Sequence, residues 1–114
     1  MGHRLDLWLW LLQRGTAALL ALFVLVHFVT IVLTIGHGLS ADAIVARVAG
    51  NLPFLVFYGL FAVSAALHGS IGLRNVLREM TRLGRSGDLL ALIFCAAVLW
   101  LGLRAALGLY GLAP

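Results

Sequence analysis

Three long apolar runs, separated by short stretches that collect most of the charge, organise this chain. The first, Thr16–Ile35, carries no charge and a single ionisable group, His27. The second, about Asn51–Leu73, opens near Pro53, a residue tolerated at a helix start, and holds His68. The third, about Asp88–Leu109, follows Ser86-Gly87, with Asp88 placed to cap it. Each reaches the ~20 residues that an α-helix needs to cross a ~30 Å hydrocarbon core. The pattern predicts an all-α membrane protein: one transmembrane domain over residues 1–114, with three spanning helices that contribute to a larger helix bundle. Between the first two spans, His37–Gly50 reads as a short loop with an amphipathic stretch from Asp42 to Val48.

Composition agrees, at 63% hydrophobic and 11% charged residues. The net charge of +4 comes from eight arginines and no lysine. Such a basic balance suits nucleic acid only where a soluble basic surface exists, and this chain has none to present. The arginines read instead as topology signals. Arg4 and Arg14 precede the first span, and Arg74, Arg78, Arg82 and Arg85 lie between the second and third; Arg47 and Arg104 fall on or towards the other side. The positive-inside rule then puts the N-terminus and the second loop in the cytoplasm, for a multi-pass protein of the inner (cytoplasmic) membrane. Arg4, Asp6, Trp8 and Trp10 interrupt the start of the chain, which does not read as a cleaved signal. Cys95 is the only cysteine, so neither an intrachain disulfide nor an iron–sulfur site is available, and it reads as a packing residue.

The two intramembrane histidines are the candidate chemistry. Ionisable groups are expensive in hydrocarbon and mark function there, and imidazole is a common haem ligand. His27 lies about twelve residues past the cytoplasmic end of its span, ~18 Å down; His68 lies ~8 Å down its antiparallel span. A difference of roughly 10 Å keeps the pair from sharing one iron, whose axial nitrogens bind at close range on opposite faces of the ring. If both are ligands, two b haems per anchor assembly lie at two depths, with the second axial ligand of each supplied by another membrane chain. That chain is either a distinct partner or a second copy of this one. The competing reading has either ring only hydrogen-bonding across helices. Gly69 and Gly72 beside His68 leave room for a flat macrocycle or for an ordinary close helix contact. Arg74, ~9 Å nearer the cytoplasm than His68, suits a haem propionate or serves only as a topology arginine. Arg14, with Gln13 and Thr16, is placed to polarise a quinone carbonyl or to snorkel to headgroups.

Taken in order, these residues resemble the membrane-anchor cytochrome b subunits of succinate:quinone oxidoreductases and quinol:fumarate reductases. The resemblance rests on Leu11-Leu12-Gln13-Arg14-Gly15-Thr16-Ala17, His27 thirteen residues after Arg14, the stretch Leu67-His68-Gly69-Ser70-Ile71-Gly72-Leu73-Arg74, and Glu79 eleven after the histidine. It covers about residues 10–80 and implies a flavoprotein and an iron–sulfur subunit docked on the cytoplasmic face, with quinone bound near that face. It implies a quinone-site role for Arg14, with Thr16 and Trp10 beside it, and a haem-ligand role for His68. His27 is similar to the additional ligand of two-haem anchors. Trp10 stands where many relatives have a small hydroxyl residue, Ala17 where many have glycine, and Met80 where some partner subunits have tyrosine.

Two other readings compete. One keeps the cytochrome but anchors a different membrane-bound dehydrogenase. The other is a haem-free small transporter or scaffold in which His27 and His68 pack or relay protons. No nucleophile triad, phosphate loop or carboxylate pair appears, so bond-making catalysis by this chain alone is not expected.

Overall fold

The computed structural model describes residues 2–112. Helix α1 (Gly2–Thr34) runs into a 3₁₀ turn (Ile35–His37), followed by the short helix α2 (Ala41–Val48) and the long helices α3 (Leu52–Met80) and α4 (Arg85–Tyr110). No strand forms among the described residues. Three helices, α1, α3 and α4, are long and apolar enough to cross a membrane, as the hydropathy pattern predicts. The amphipathic stretch of the first loop is helix α2, which Ser40 caps by accepting from the Ala43 N–H.

The helices outrun the predicted spans. Helix α1 begins fourteen residues before Thr16, because Leu5, Leu7, Leu9, Leu11 and Leu12 are strong helix formers and no proline intervenes. Its 33 residues are longer than a membrane core requires, so the first turns, with Trp8 and Trp10, extend beyond the hydrocarbon or tilt. Helix α3 starts as expected, with Pro53 in its first turn and Asn51 capping the Phe54 N–H. It continues past Leu73 to Met80, so Arg74 and Arg78 ride on α3 and, of the six clustered arginines, only Arg82 lies in the loop. Gly84 (φ +55°) turns the chain into α4 and takes the N-cap position expected of Asp88.

Helix α3 is the centre of the fold and packs against both α1 and α4. Its buried positions are small or polar: Ser64, Ala66 and Ser70, with Ile71 the largest; Thr16 on α1 and Gly87 and Ala91 on α4 complete the interior. Small residues let backbones approach where lipid tails offer no hydrophobic drive for association. The closest approach is Gly102, where an added Cβ would lie 2.7 Å from the Ala62 Cβ. Large side chains point outward instead, as with Phe28 (62% exposed), Leu33 (69%) and Leu92 (66%). Such a surface suits lipid or partner helices and would aggregate in water.

At the arginine-rich end, Asp88 fastens α4 to α3. Arg78 donates to its carboxylate from both Nε (2.9 Å) and Nη2, and Arg74 Nε lies 3.3 Å from Oδ1. Asp88 lies inside the first turn of α4, which already starts at Arg85, and its side chain serves this ion-pair group rather than a cap. At the opposite end the Gly50 N–H donates to the Tyr110 carbonyl (2.9 Å), tying the α2–α3 turn to the end of α4.

These contacts predict opposite outcomes for two glycines of one helix. Gly102→Ala should lower thermal stability in detergent by about 1–3 kcal/mol through overpacking. Gly108→Ala, whose Cβ meets nothing within 4 Å, should gain up to about 1 kcal/mol from helix propensity. A gain in both variants would mean that α3 and α4 do not cross closely at Ala62. Asp88→Asn should loosen the hairpin, read as faster hydrogen exchange across Thr81–Gly84; unchanged exchange would show the ion pairs to be idle.

Candidate functional site

Both intramembrane histidines lie on the seam between α1 and α3, and each faces a hydroxyl on the opposite helix. His68 Nδ1 on α3 is 3.4 Å from Thr16 Oγ1 on α1. His27 Nδ1 on α1 is 2.9 Å from the Tyr58 hydroxyl on α3. Helices that run antiparallel bring residues together in pairs whose numbers have a constant sum. Here Thr16 with His68, Phe23 with Phe61 and His27 with Tyr58 all add to about 84.

That register sets the depths. Thr16 is level with His68, and His27 lies eleven residues along α1 from Thr16, so the two imidazoles are ~16 Å apart along the helix axis. The separation exceeds the ~10 Å expected from sequence, which treated Thr16 and Leu73 as the level ends of their spans. Helix α3 is in fact offset by about a turn. The larger gap strengthens the conclusion that one iron cannot take both rings.

The surroundings of the two rings differ. Thr16 is buried, and its hydroxyl donates to the Leu12 carbonyl at 2.6 Å, with the Gln13 carbonyl at 3.3 Å. His27 stands in an aromatic cluster, perpendicular to Tyr58 (centroids 5.6 Å apart) and to Phe61 (6.1 Å), with Phe23, Phe57 and Phe54 around them. It opens on an apolar groove of about 460 Å³ between the helices, with Ile44, Tyr58, Gly102 and Tyr110 on its walls. Among the described residues no group of three or more His, Cys, Asp or Glu gathers as a metal cluster. Each imidazole stands as a single nitrogen donor.

The remaining candidates have definite places. Arg14 is exposed, lies over the Trp10 ring (5.2 Å) and makes no ion pair among the described residues. Thr16, expected beside it, turns inward to the seam. Gly69 faces Phe94 of α4, and Gly72 faces Gln13 of α1, so within this chain both glycines serve close helix contacts. The Gln13 Oε1 is buried there with no partner. Arg74 is engaged with Asp88, while Glu79 and Met80 are exposed at the end of α3. His37 sits in the 3₁₀ turn and His3 at the exposed start of α1. Tyr58 is the residue that sequence reasoning missed. The sequence held no signal for it, because what lies opposite His27 depends on the helix register that the Phe23–Phe61 stacking marks in the structure.

Comparison with curated proteins and with solved structures gave no match. A family model described as succinate dehydrogenase/fumarate reductase transmembrane subunit, in contrast, matches residues 1–105, nearly the whole fold built above. With its three membrane-spanning helices and α3 at their centre, the chain belongs to that family of multi-pass membrane-anchor subunits.

Proposed function

We propose that this chain is the haem b-binding membrane anchor of a succinate:quinone oxidoreductase or quinol:fumarate reductase. In that complex electrons pass between flavoprotein and iron–sulfur subunits and membrane quinone. The observation that carries the reading is the pair of imidazoles at two levels, each with Nδ1 at a hydroxyl and Nε2 not bonded among the described residues.

The donor set fits haem. Iron-ligating histidines bind through one ring nitrogen and present the other to an oxygen on a neighbouring element. His68 and His27 both have that arrangement, and the apolar groove beside His27 suits the largely apolar edge of a porphyrin. When bound, such a group supplies one-electron transfer. His68 would hold it near the arginine-rich end and His27 ~16 Å further along the bundle. Because the chain has one imidazole at each level, a second membrane chain must complete both sites. A distinct anchor does so, and so does a second copy related by a two-fold axis along the membrane normal.

Orientation follows from charge. Arg4, Arg14, Arg74, Arg78, Arg82 and Arg85 favour a cytoplasmic location for their end of the bundle in the inner membrane, with the soluble subunits docked there. Arg14, with no ion pair among the described residues and stacked over Trp10, is suited to donate to a quinone carbonyl at that face.

In the purified complex, dithionite-reduced spectra should show b-type bands. His68→Ala should remove one haem and His27→Ala the other, each leaving its neighbour in place. Full haem content and an unchanged spectrum in His27→Ala would return His27 to a packing role. The absence of b-type bands from the native complex would leave a haem-free anchor. A cysteine introduced at Arg82 should react with an impermeant thiol reagent only after the cytoplasmic face is opened. Labelling in intact cells would reverse the orientation.

A further inference from the structure

The α1–α3 seam carries two histidine–hydroxyl contacts that run in opposite directions: α3 offers His68 to Thr16 of α1, and α1 offers His27 to Tyr58 of α3. We propose that Thr16 is a positioning residue that fixes the tautomer of His68, so that Nε2 presents its lone pair to iron, and that Tyr58 does the same for His27. The inference rests on the haem reading above and moves Thr16 from the quinone pocket to the histidine.

A neutral imidazole carries one N–H, and only the other nitrogen has a lone pair for a metal. The Thr16 hydroxyl has a single hydrogen. The Leu12 carbonyl, 2.6 Å away, can only accept and takes it. Towards His68, Oγ1 therefore has only lone pairs to offer, and the one bond possible across that contact is Nδ1–H donating to Oγ1. The hydrogen is then on Nδ1 and the lone pair on Nε2. The preference is present before any ligand arrives, because it depends on the helix's own carbonyl. At 3.4 Å the bond is long, so its hold on the ring is weak and its effect on the iron modest.

Tyr58 works differently. Its hydroxyl has no hydrogen-bond partner besides His27 Nδ1 among the described residues and is able to donate or accept there. Iron at Nε2 requires it to accept, which turns the phenol hydrogen towards the groove. Thr16 is a fixed acceptor, whereas Tyr58 must be switched into one. In both cases the oxygen accepts from Nδ1–H, makes the imidazole a better electron donor and favours oxidised iron.

The test is a redox titration of each haem in the assembled complex. Thr16→Val, similar in shape but without the oxygen, should raise the midpoint potential of the haem that His68→Ala removes and leave the other unchanged. Thr16→Ser should restore the native value, which a pure packing role would not require. Tyr58→Phe should raise only the potential of the haem lost in His27→Ala. If Thr16→Val does not assemble, Thr16→Ala must show the same rise. Unmoved potentials in haem-loaded Thr16→Val or Thr16→Ala, or a change confined to the KM for quinone, would overturn the proposal while leaving the haem reading intact. Loss of both haems from the native complex would fail the haem reading itself.

Discussion

A neutral imidazole placed in hydrocarbon brings one N–H and one lone pair, and the membrane supplies a partner for neither. The antiparallel register of α1 and α3 gives each ring one hydroxyl partner. It sets Thr16 at the level of His68 and Tyr58 at the level of His27, so that each ring finds an oxygen on the opposite helix. On the proposed tautomers, with Nδ1–H at each hydroxyl, the Nε2 lone pairs remain for iron. With any other register the hydroxyls and imidazoles would miss one another, and the two costly groups would be stranded. The rest of the fold holds that register. Phe23 stacks on Phe61 midway along the seam, and Gln13 meets Gly72 nearer the arginine-rich end.

Helix α4 contributes by bracing α3 from the other side. Gly102 lets it approach Ala62 closely, Phe94 covers Gly69, and the Arg74–Asp88–Arg78 group closes the hairpin at the arginine-rich end. None of these contacts uses the outer faces of α1 and α4, which stay apolar and exposed. A transmembrane subunit of a multi-chain complex needs such faces, for lipid on some sides and for partner helices on others. On the haem reading, the second ligand of each iron would enter across one of them. In the proposed complex, soluble subunits would sit at the end where Arg14 lies over the Trp10 ring.

Much of this was legible in the sequence because composition alone decides it. Twenty apolar residues without charge have few stable arrangements besides a spanning helix. His27 and His68 stood out for the same reason, being polar where polarity is costly. What was not legible was anything that depends on how two helices slide past one another. Charge marks where a span meets the interface, yet α1 continues back to Gly2 and α3 on to Met80, since no residue there breaks a helix. Span ends were therefore a poor ruler, and the estimated depth gap came out short. Tyr58 was invisible for that reason too. The roles of Gly69, Gly72 and Arg74 were open on sequence, because a glycine that admits a macrocycle looks like one that admits Phe94. An arginine near a propionate likewise looks like one held by Asp88.

The central claim is that each imidazole is half of a ligand pair completed by another membrane chain. Native mass spectrometry of the detergent-extracted complex measures this directly, since it weighs anchor chains and bound haem in one particle. The account predicts two haems held between two anchor chains, whether the second is distinct or another copy of this one. A particle in which one copy of this chain, with no other membrane subunit, retains two six-coordinate haems would contradict it.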